Sequence, residues 1–399
     1  MTAKLTRREW GLSASALLGA YVSTLGYEAE AAQAESPLYV DLHIDTPGRL
    51  LNEGLDLSES LEYTHVDITK MREGGLAGGF FAVSTSARSQ TPLSAVKNAL
   101  LITDILVEEV ARHPNDLFLA TTSDDVFRAS REDRIAILIG IEGGHMIDSS
   151  LEVLRQLYRL GARYMGLTHS GNTPWVGAAE YDDGPEGLTE FGRDVVREMN
   201  RIGMMIDLSH ASDRAFFDAV DTSSAPIFNT HAACRSISNH PRNLTDGMLK
   251  ALAQNGGVLG VAYYAGMLDD EFRGRMSELA AINRQKGLVR RQFAEDKRRM
   301  SEELWKLELA GVELIGQVPL SRLVDHIEHA ATVAGIDHVG VGCDYDSVGL
   351  RLPEGLEHIG KTPNLIAALR ARGFSAEDVG KVMGGNVLRA MRQAEVVAE

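Results

Sequence analysis

Five candidate metal ligands punctuate this chain: His43 and Asp45 in DLHID, Glu142 in IGIEGG, His210 in DLSH and His231 in FNTH. Each closes a short, apolar, strand-like run. A single His or carboxylate in such a place is ordinarily a structural cap. Five in succession, each at the C-terminal end of its run, point to a shared site. Imidazole nitrogen and carboxylate oxygen without thiolate suit zinc or a similar divalent ion in a catalytic setting. A carboxylate such as Glu142 can bridge, so five ligands can serve two ions and leave positions open for water.

His43 and Asp45 are two apart, which puts them on one face of a strand. The similar pair His65 and Asp67 in HVD precedes a helical pattern with no strand before it, and reads as structural. Glu142 emerges from Ile and Leu and is followed by Gly143 and Gly144, which allow close backbone approach. Buried there, its charge needs a cation. His145 reads as a loop or supporting group beside it.

Other polar run ends supply what hydrolysis needs beyond metals. His169 in GLTHSGNTPW is placed to donate to an oxyanion, and Asp344 in GCDYD to shuttle a proton from water. Asp346 competes for the second role but lies two residues further on. Arg242 in HPRNLTD offers a guanidinium fork for a substrate carboxylate, its structural reading being a loop ion pair. Cys234 and Cys343, the only cysteines, lack CxxC spacing and read as small buried thiols.

The elements that must position these groups alternate. Strand patterns fall at 38–44, 77–83, 135–141, 163–167, 204–208, 226–229, 258–262 and 338–342, with helical spacing between them, as at 151–160, 190–201, 213–220 and 248–254. Crossovers long enough for helices imply parallel pairing. Eight such units with polar groups at strand C-termini predict a (β/α)8 TIM-like barrel with its site at that face. An open doubly wound sheet is the alternative, and would gather its ligands at one switch point. The rhythm breaks at about 269–317, a stretch dense in both charge signs, which predicts a helical insertion after the seventh strand. Its bland reading is a solvated face; its functional reading is a lid or a homodimer contact.

Residues 1–34 stand apart. Arg7 and Arg8 precede a moderately apolar stretch and a small-x-small site at Ala32-Gln33-Ala34, the pattern of a twin-arginine export signal, which predicts a periplasmic protein. Residues 35–399 then form one hydrolase domain without a membrane span. A net charge of −16 disfavours nucleic acid and anionic membranes and leaves a small-molecule substrate.

The ordered motifs DLHIDTP, GGLAGGFFAV, IGIEGGHMI, RYMGLTHSGNTPW, MMIDLSHAS, IFNTHAACRSISNHPRNLTD, VGVGCDYDSV and LPEGLEHI carry a resemblance. From about Asp41 to Arg392 the chain resembles the membrane dipeptidase (renal dipeptidase) family, within the amidohydrolase superfamily. The resemblance implies two zinc ions, one bound by His43 and Asp45 and the other by His210 and His231, with Glu142 between them. It also implies that His169 contacts the substrate carbonyl, Arg242 its carboxylate, and Asp344 the attacking water and the amine. The implied substrates are dipeptides, including some with a D-configured C-terminal residue. N-acyl amino acid or lactone hydrolysis on the same site is the rival activity. One departure is Met267, which follows Tyr263-Tyr264 where family members carry a tyrosine.

Overall fold

The computed structural model describes residues 37–85, 92–181 and 183–398. The expected signal segment, 1–34, lies outside them. Strands β1 (Tyr39–Ile44), β2 (Leu76–Ser84), β3 (Leu117–Leu119), β4 (Ile135–Glu142), β5 (Ala162–Gly166), β6 (Met205–Asp207), β7 (Ile227–Ala232), β8 (Val258–Val261) and β9 (Val339–Val341) form one sheet. Its order is β1-β2-β4-β5-β6-β7-β8-β9, every pairing parallel. Around the seam between β9 and β1, Ile44 bridges Tyr345, and the amides of Asp45 and Asp344 bond the carbonyls of Tyr345 and His43. The eight expected strands are therefore the staves of a (β/α)8 barrel. The ninth, β3, is a three-residue addition that pairs only with β4 outside the ring. Three residues are too few for an alternation pattern to show.

Helices fill the crossovers, and their ends follow local chemistry. Thr122 and Ser375 head capping boxes, while Ser150, Thr189, Ser212 and Thr245 each accept from an amide in the first turn. The Glu190–Ile202 helix ends on Gly203 in the left-handed conformation. The strands are buried on both faces, as a helix-wrapped parallel sheet requires. Leu42, Phe80, Leu138, Tyr164 and Phe228 fill the barrel interior with a few neighbours, and a larger core lies between strands and helices.

The charged stretch folds as expected into helices after the seventh barrel strand: Asp270–Arg275, Ala280–Gln292 and Lys297–Ile315. Its second long helix packs on the barrel's first loop, where Ser301 bonds Glu53 and Arg298 pairs with Glu59. Among the described residues no helix is long and apolar enough to cross a membrane.

Candidate metal centre

The strand ends converge. His43, Glu142 and His231 bring ligand atoms within 4.8 Å of one another, as do Glu142, His169 and His210, and His43, Asp45 and Asp344. The three groups overlap through His43 and Glu142, so they form one continuous cluster at the C-terminal mouth. His43 and His231 stand on β1 and β7, and Glu142 is the last residue of β4. Asp45, His169, His210 and Asp344 lie just beyond their strands, in loops. Asp45 is thus not on the strand, as its two-residue spacing from His43 suggested, yet its Oδ2 comes to 3.4 Å from His43 Nε2.

Around Glu142 the carboxylate oxygens lie 3.1 Å from His210 Nε2, 3.4 Å from His43 and His231 Nε2, and 3.7 Å from His169 Nε2. His210 and His231 bring their Nε2 atoms to 3.1 Å of each other. Four imidazoles pointed at one buried carboxylate are more nitrogen than one anion can pair with. His43 Nε2 is buried without a hydrogen-bond partner. Its Nδ1 is held 2.8 Å from the Tyr164 hydroxyl, and His231 Nδ1 is 2.9 Å from Thr230 Oγ1. These two imidazoles are anchored from behind and direct the other nitrogen inward, the usual arrangement of metal-binding histidines. The donor set therefore fits divalent metal.

Electrostatics follow burial. Burial pushes the imidazoles of His210 and His231 well below the usual histidine range, helped by Arg242 at His210 and by His43 and then Arg242 at His231, so they are neutral and able to ligate. Burial works against Glu142, but His169 and His43 outweigh it and hold its carboxyl well below the usual range. Burial raises the Asp344 carboxyl, with His231 opposing and Asp45 reinforcing the shift. A carboxyl so raised is suited to taking up and releasing a proton.

The backbone is shaped to the site. Gly143 has φ +121°, and a Cβ there would meet the His145 ring at 2.6 Å and His169 Cβ at 2.9 Å. Asp344 and Asp346 both sit at positive φ, 61° and 72°, which bends the chain sharply after β9. Asp346 points away from the cluster and binds Arg49, Thr46 and the amide of His65. It is structural, and so is the His65 and Asp67 pair, since Asp67 caps the Ile68–Glu73 helix. His145 pairs with Thr85 beside the site and belongs to none of its ligand groups.

Arg242 bonds the carbonyls of Ser209 and His231 through Nε and Nη2, and forms no ion pair among the described residues. Its loop-stabilising salt bridge is absent among those residues, and the fork is left beside the histidines. Met267 is buried and its carbonyl accepts from Asn243. Cys234 and Cys343 are buried free thiols.

The supporting groups were not read from the sequence. Tyr164 reaches His43 because Gly140 on β4 leaves room: a Cβ there would fall 2.1 Å from the tyrosine ring. Asp207 at the end of β6 accepts from Ser209 and from the amide of Thr230, and Ser209, two residues beyond that strand, lies 3.0 Å from Thr230 Oγ1, which holds His231. A buried acid in MMIDLSH and a bare glycine opposite a strand tyrosine were the available signals.

A sequence profile of the membrane dipeptidase family, peptidase family M19, matches residues 27–399. The chain belongs to that family. It is therefore a metallopeptidase of the dipeptidase class. It is 34% identical over 379 residues to an uncharacterized dipeptidase of Schizosaccharomyces pombe, covering 90% of this chain and 81% of that one. It is 32% identical over 381 residues to dipeptidase 3 of Macaca fascicularis, covering 93% and 68%. Among solved structures, a dipeptidase of family M19 superposes with a TM-score of 0.72 at 25% identity, over 90% of this chain and 99% of that one. A metallopeptidase of Rhodobacter sphaeroides, solved with a phosphinate mimic of L-Ala-D-Ala, shares the fold with a TM-score of 0.73 at 24% identity, over 90% and 100%.

Proposed function

We propose that the enzyme is an exported zinc dipeptidase with two ions at this centre, one held by His43 and Asp45, one by His210 and His231, with Glu142 between. The observation that carries the reading is the convergence of four imidazoles on the buried Glu142, with His43 Nε2 left without a partner. Bound there, the ions supply Lewis acidity to the peptide carbonyl and to water.

The chain's own groups do the rest. Asp344, raised by burial, accepts the proton of the attacking water at its carboxylate and returns it to the leaving amine. His169, more exposed than the other imidazoles, donates to the oxygen that becomes negative as the carbonyl is attacked. Arg242 pairs with the free carboxylate of the C-terminal residue, which places the bond just before that residue at the metals. The mimic bound by the Rhodobacter sphaeroides relative supports a D-configured residue at that position.

The test separates a dipeptidase from a hydrolase of N-acyl amino acids or lactones. Truncating one partner of a buried charge pair costs about 2–5 kcal/mol, and about 1.4 kcal/mol is tenfold. Arg242→Met is expected to lower kcat/KM for L-Ala-D-Ala at least ~30-fold. The amidated dipeptide is expected to be poor with the parent and to lose little more in the variant, because both changes remove one contact. Equal turnover of free and amidated dipeptides by the parent would defeat the assignment. For export, the pair Arg7 and Arg8 supports a twin-arginine route to the periplasm. Changing both to lysine is expected to retain the enzyme in the cytoplasm, and unchanged export would remove that reading.

A further inference from the structure

Between the end of β6 and the imidazole of His231 runs a buried line of oxygens in which each proton has one place to go. Asp207, Ser209, Thr230 and His231 are each no more than 1% exposed, so these groups must pair with one another. Asp207 Oδ1 accepts from two backbone amides, that of Ser209 at 3.1 Å and that of Thr230 at 2.8 Å. An oxygen that receives two amide protons carries none of its own. The Ser209 hydroxyl, 2.6 Å from the same atom, therefore donates to it.

A hydroxyl has one proton and two lone pairs. With its proton committed to Asp207, Ser209 Oγ can only accept, and it does so from the His231 amide at 3.0 Å. Thr230 Oγ1, also 3.0 Å away, is then its second donor. That spends the threonine proton. What Thr230 Oγ1 has left for the His231 ring, 2.9 Å from Nδ1, is a lone pair, so Nδ1 carries the ring hydrogen. In the neutral imidazole the other nitrogen is bare. That nitrogen is Nε2, which faces Glu142 and His210. His43 has no such line behind it. Its Nδ1 meets the Tyr164 hydroxyl alone, and a hydroxyl with no further hydrogen bond among the described residues is free to donate or to accept.

We propose that Asp207 is a positioning residue of the metal centre, which acts through Ser209 and Thr230 to fix the His231 proton on Nδ1 and present Nε2 as a ligand. A carboxylate commonly orients a metal-binding histidine by bonding it directly. Here two hydroxyls carry the same polarity from β6 to β7, and the Thr230 and His231 amides clamp the end of β7 to the same line. Without that polarity Nε2 can hold the proton and donate it to Glu142, whose oxygen is 3.4 Å away, which closes His231 to an ion. The consequence for metal rests on the proposed reading of His231 as a ligand; the place of the proton does not.

Long-range proton–nitrogen NMR of the metal-free full chain with labelled histidines tests it, the His231 signals being assigned by their loss in His231→Asn. The parent is expected to carry the proton on Nδ1. Thr230→Val keeps the side-chain shape but removes the acceptor, and is expected to move the proton to Nε2. Thr230→Ser keeps the hydroxyl and is expected to keep the proton on Nδ1. Ser209→Ala frees the threonine proton to point at the ring and is expected to act as valine does, which tests the same line even where the valine variant folds poorly. Chelator competition for zinc on the same proteins supplies the second readout. The valine variant is expected to hold one of two ions roughly 10- to 100-fold more weakly and the other within ~threefold of the parent, with the serine variant within ~threefold for both. A parent with its proton on Nε2 overturns the proposal. So does a valine variant with the parent's tautomer and zinc affinity, or a serine variant as impaired as valine, which would make packing the cause. A parent with the Nδ1 proton that takes up no divalent ion bears out the hydrogen-bond line and defeats the metal reading instead, so the two failures are told apart.

Discussion

At the residue scale, His169 is the position where two chemistries meet. Its Nε2 stands 3.7 Å from Glu142, and its ring meets His210 edge-on with centroids 4.7 Å apart, so geometry alone would admit it as a ligand. It differs from His43 and His231, whose Nδ1 atoms are held at 2.8 and 2.9 Å, in being held weakly from behind, with its Nδ1 3.4 Å from the Thr85 carbonyl. It is also the more exposed, at 19% of its side chain against 0, 7 and 1% for the other three. A donor that acts on the developing oxyanion matters mainly in the transition state, so His169→Ala is expected to lower kcat by roughly 10²- to 10³-fold with bound metal unchanged. Metal analysis of the variant alongside its kinetics checks this. Loss of an ion would make His169 a ligand. The residues that converge on Glu142 were legible because each ends an apolar run or lies just beyond one. Tyr164 and the Asp207–Ser209–Thr230 chain were not, because what they do depends on neighbours brought together only by barrel closure.

At the element scale, the loop after β9 carries Asp344 into the site and is fixed to the first loop by Asp346. That carboxylate is fully buried and accepts from Arg49 Nη1 at 2.8 Å, Thr46 Oγ1 at 2.6 Å and the His65 amide at 3.1 Å. Burial opposes its charge, but Arg49 and His65 outweigh it and hold the carboxyl below the usual range. A carboxyl depressed on folding stabilises the protein above its unfolded pKa of about 3.9, and that contribution is lost as pH falls through the folded value. Removing one member of a buried pair costs about 3–5 kcal/mol, so Asp346→Ala is expected to be destabilised by about that much near neutrality. The difference between variant and parent is expected to shrink in acid, as followed by denaturant unfolding at several pH values. A constant difference across pH would show that packing, not charge, is what Asp346 supplies. Strand and helix order was legible from periodicity. The left-handed turn at Asp344 and Asp346, which decides which aspartate enters the site, was not, because aspartate carries no such obligation in sequence.

At the scale of the whole molecule, the barrel accounts for why candidate ligands so far apart in sequence can share one centre. Residues 43, 142, 210 and 231 come from four separate strand–helix units, and only a closed parallel ring brings their C-terminal ends together. The eight-unit count was legible; the extra strand β3 was not, since a short edge strand has no pattern. On the proposed function, this ring holds two divalent ions that act together in dipeptide hydrolysis. Titrating zinc into the metal-free enzyme while following L-Ala-D-Ala hydrolysis tests it most directly. Activity is expected to level off at about two equivalents per chain, and full activity at a single equivalent would contradict it.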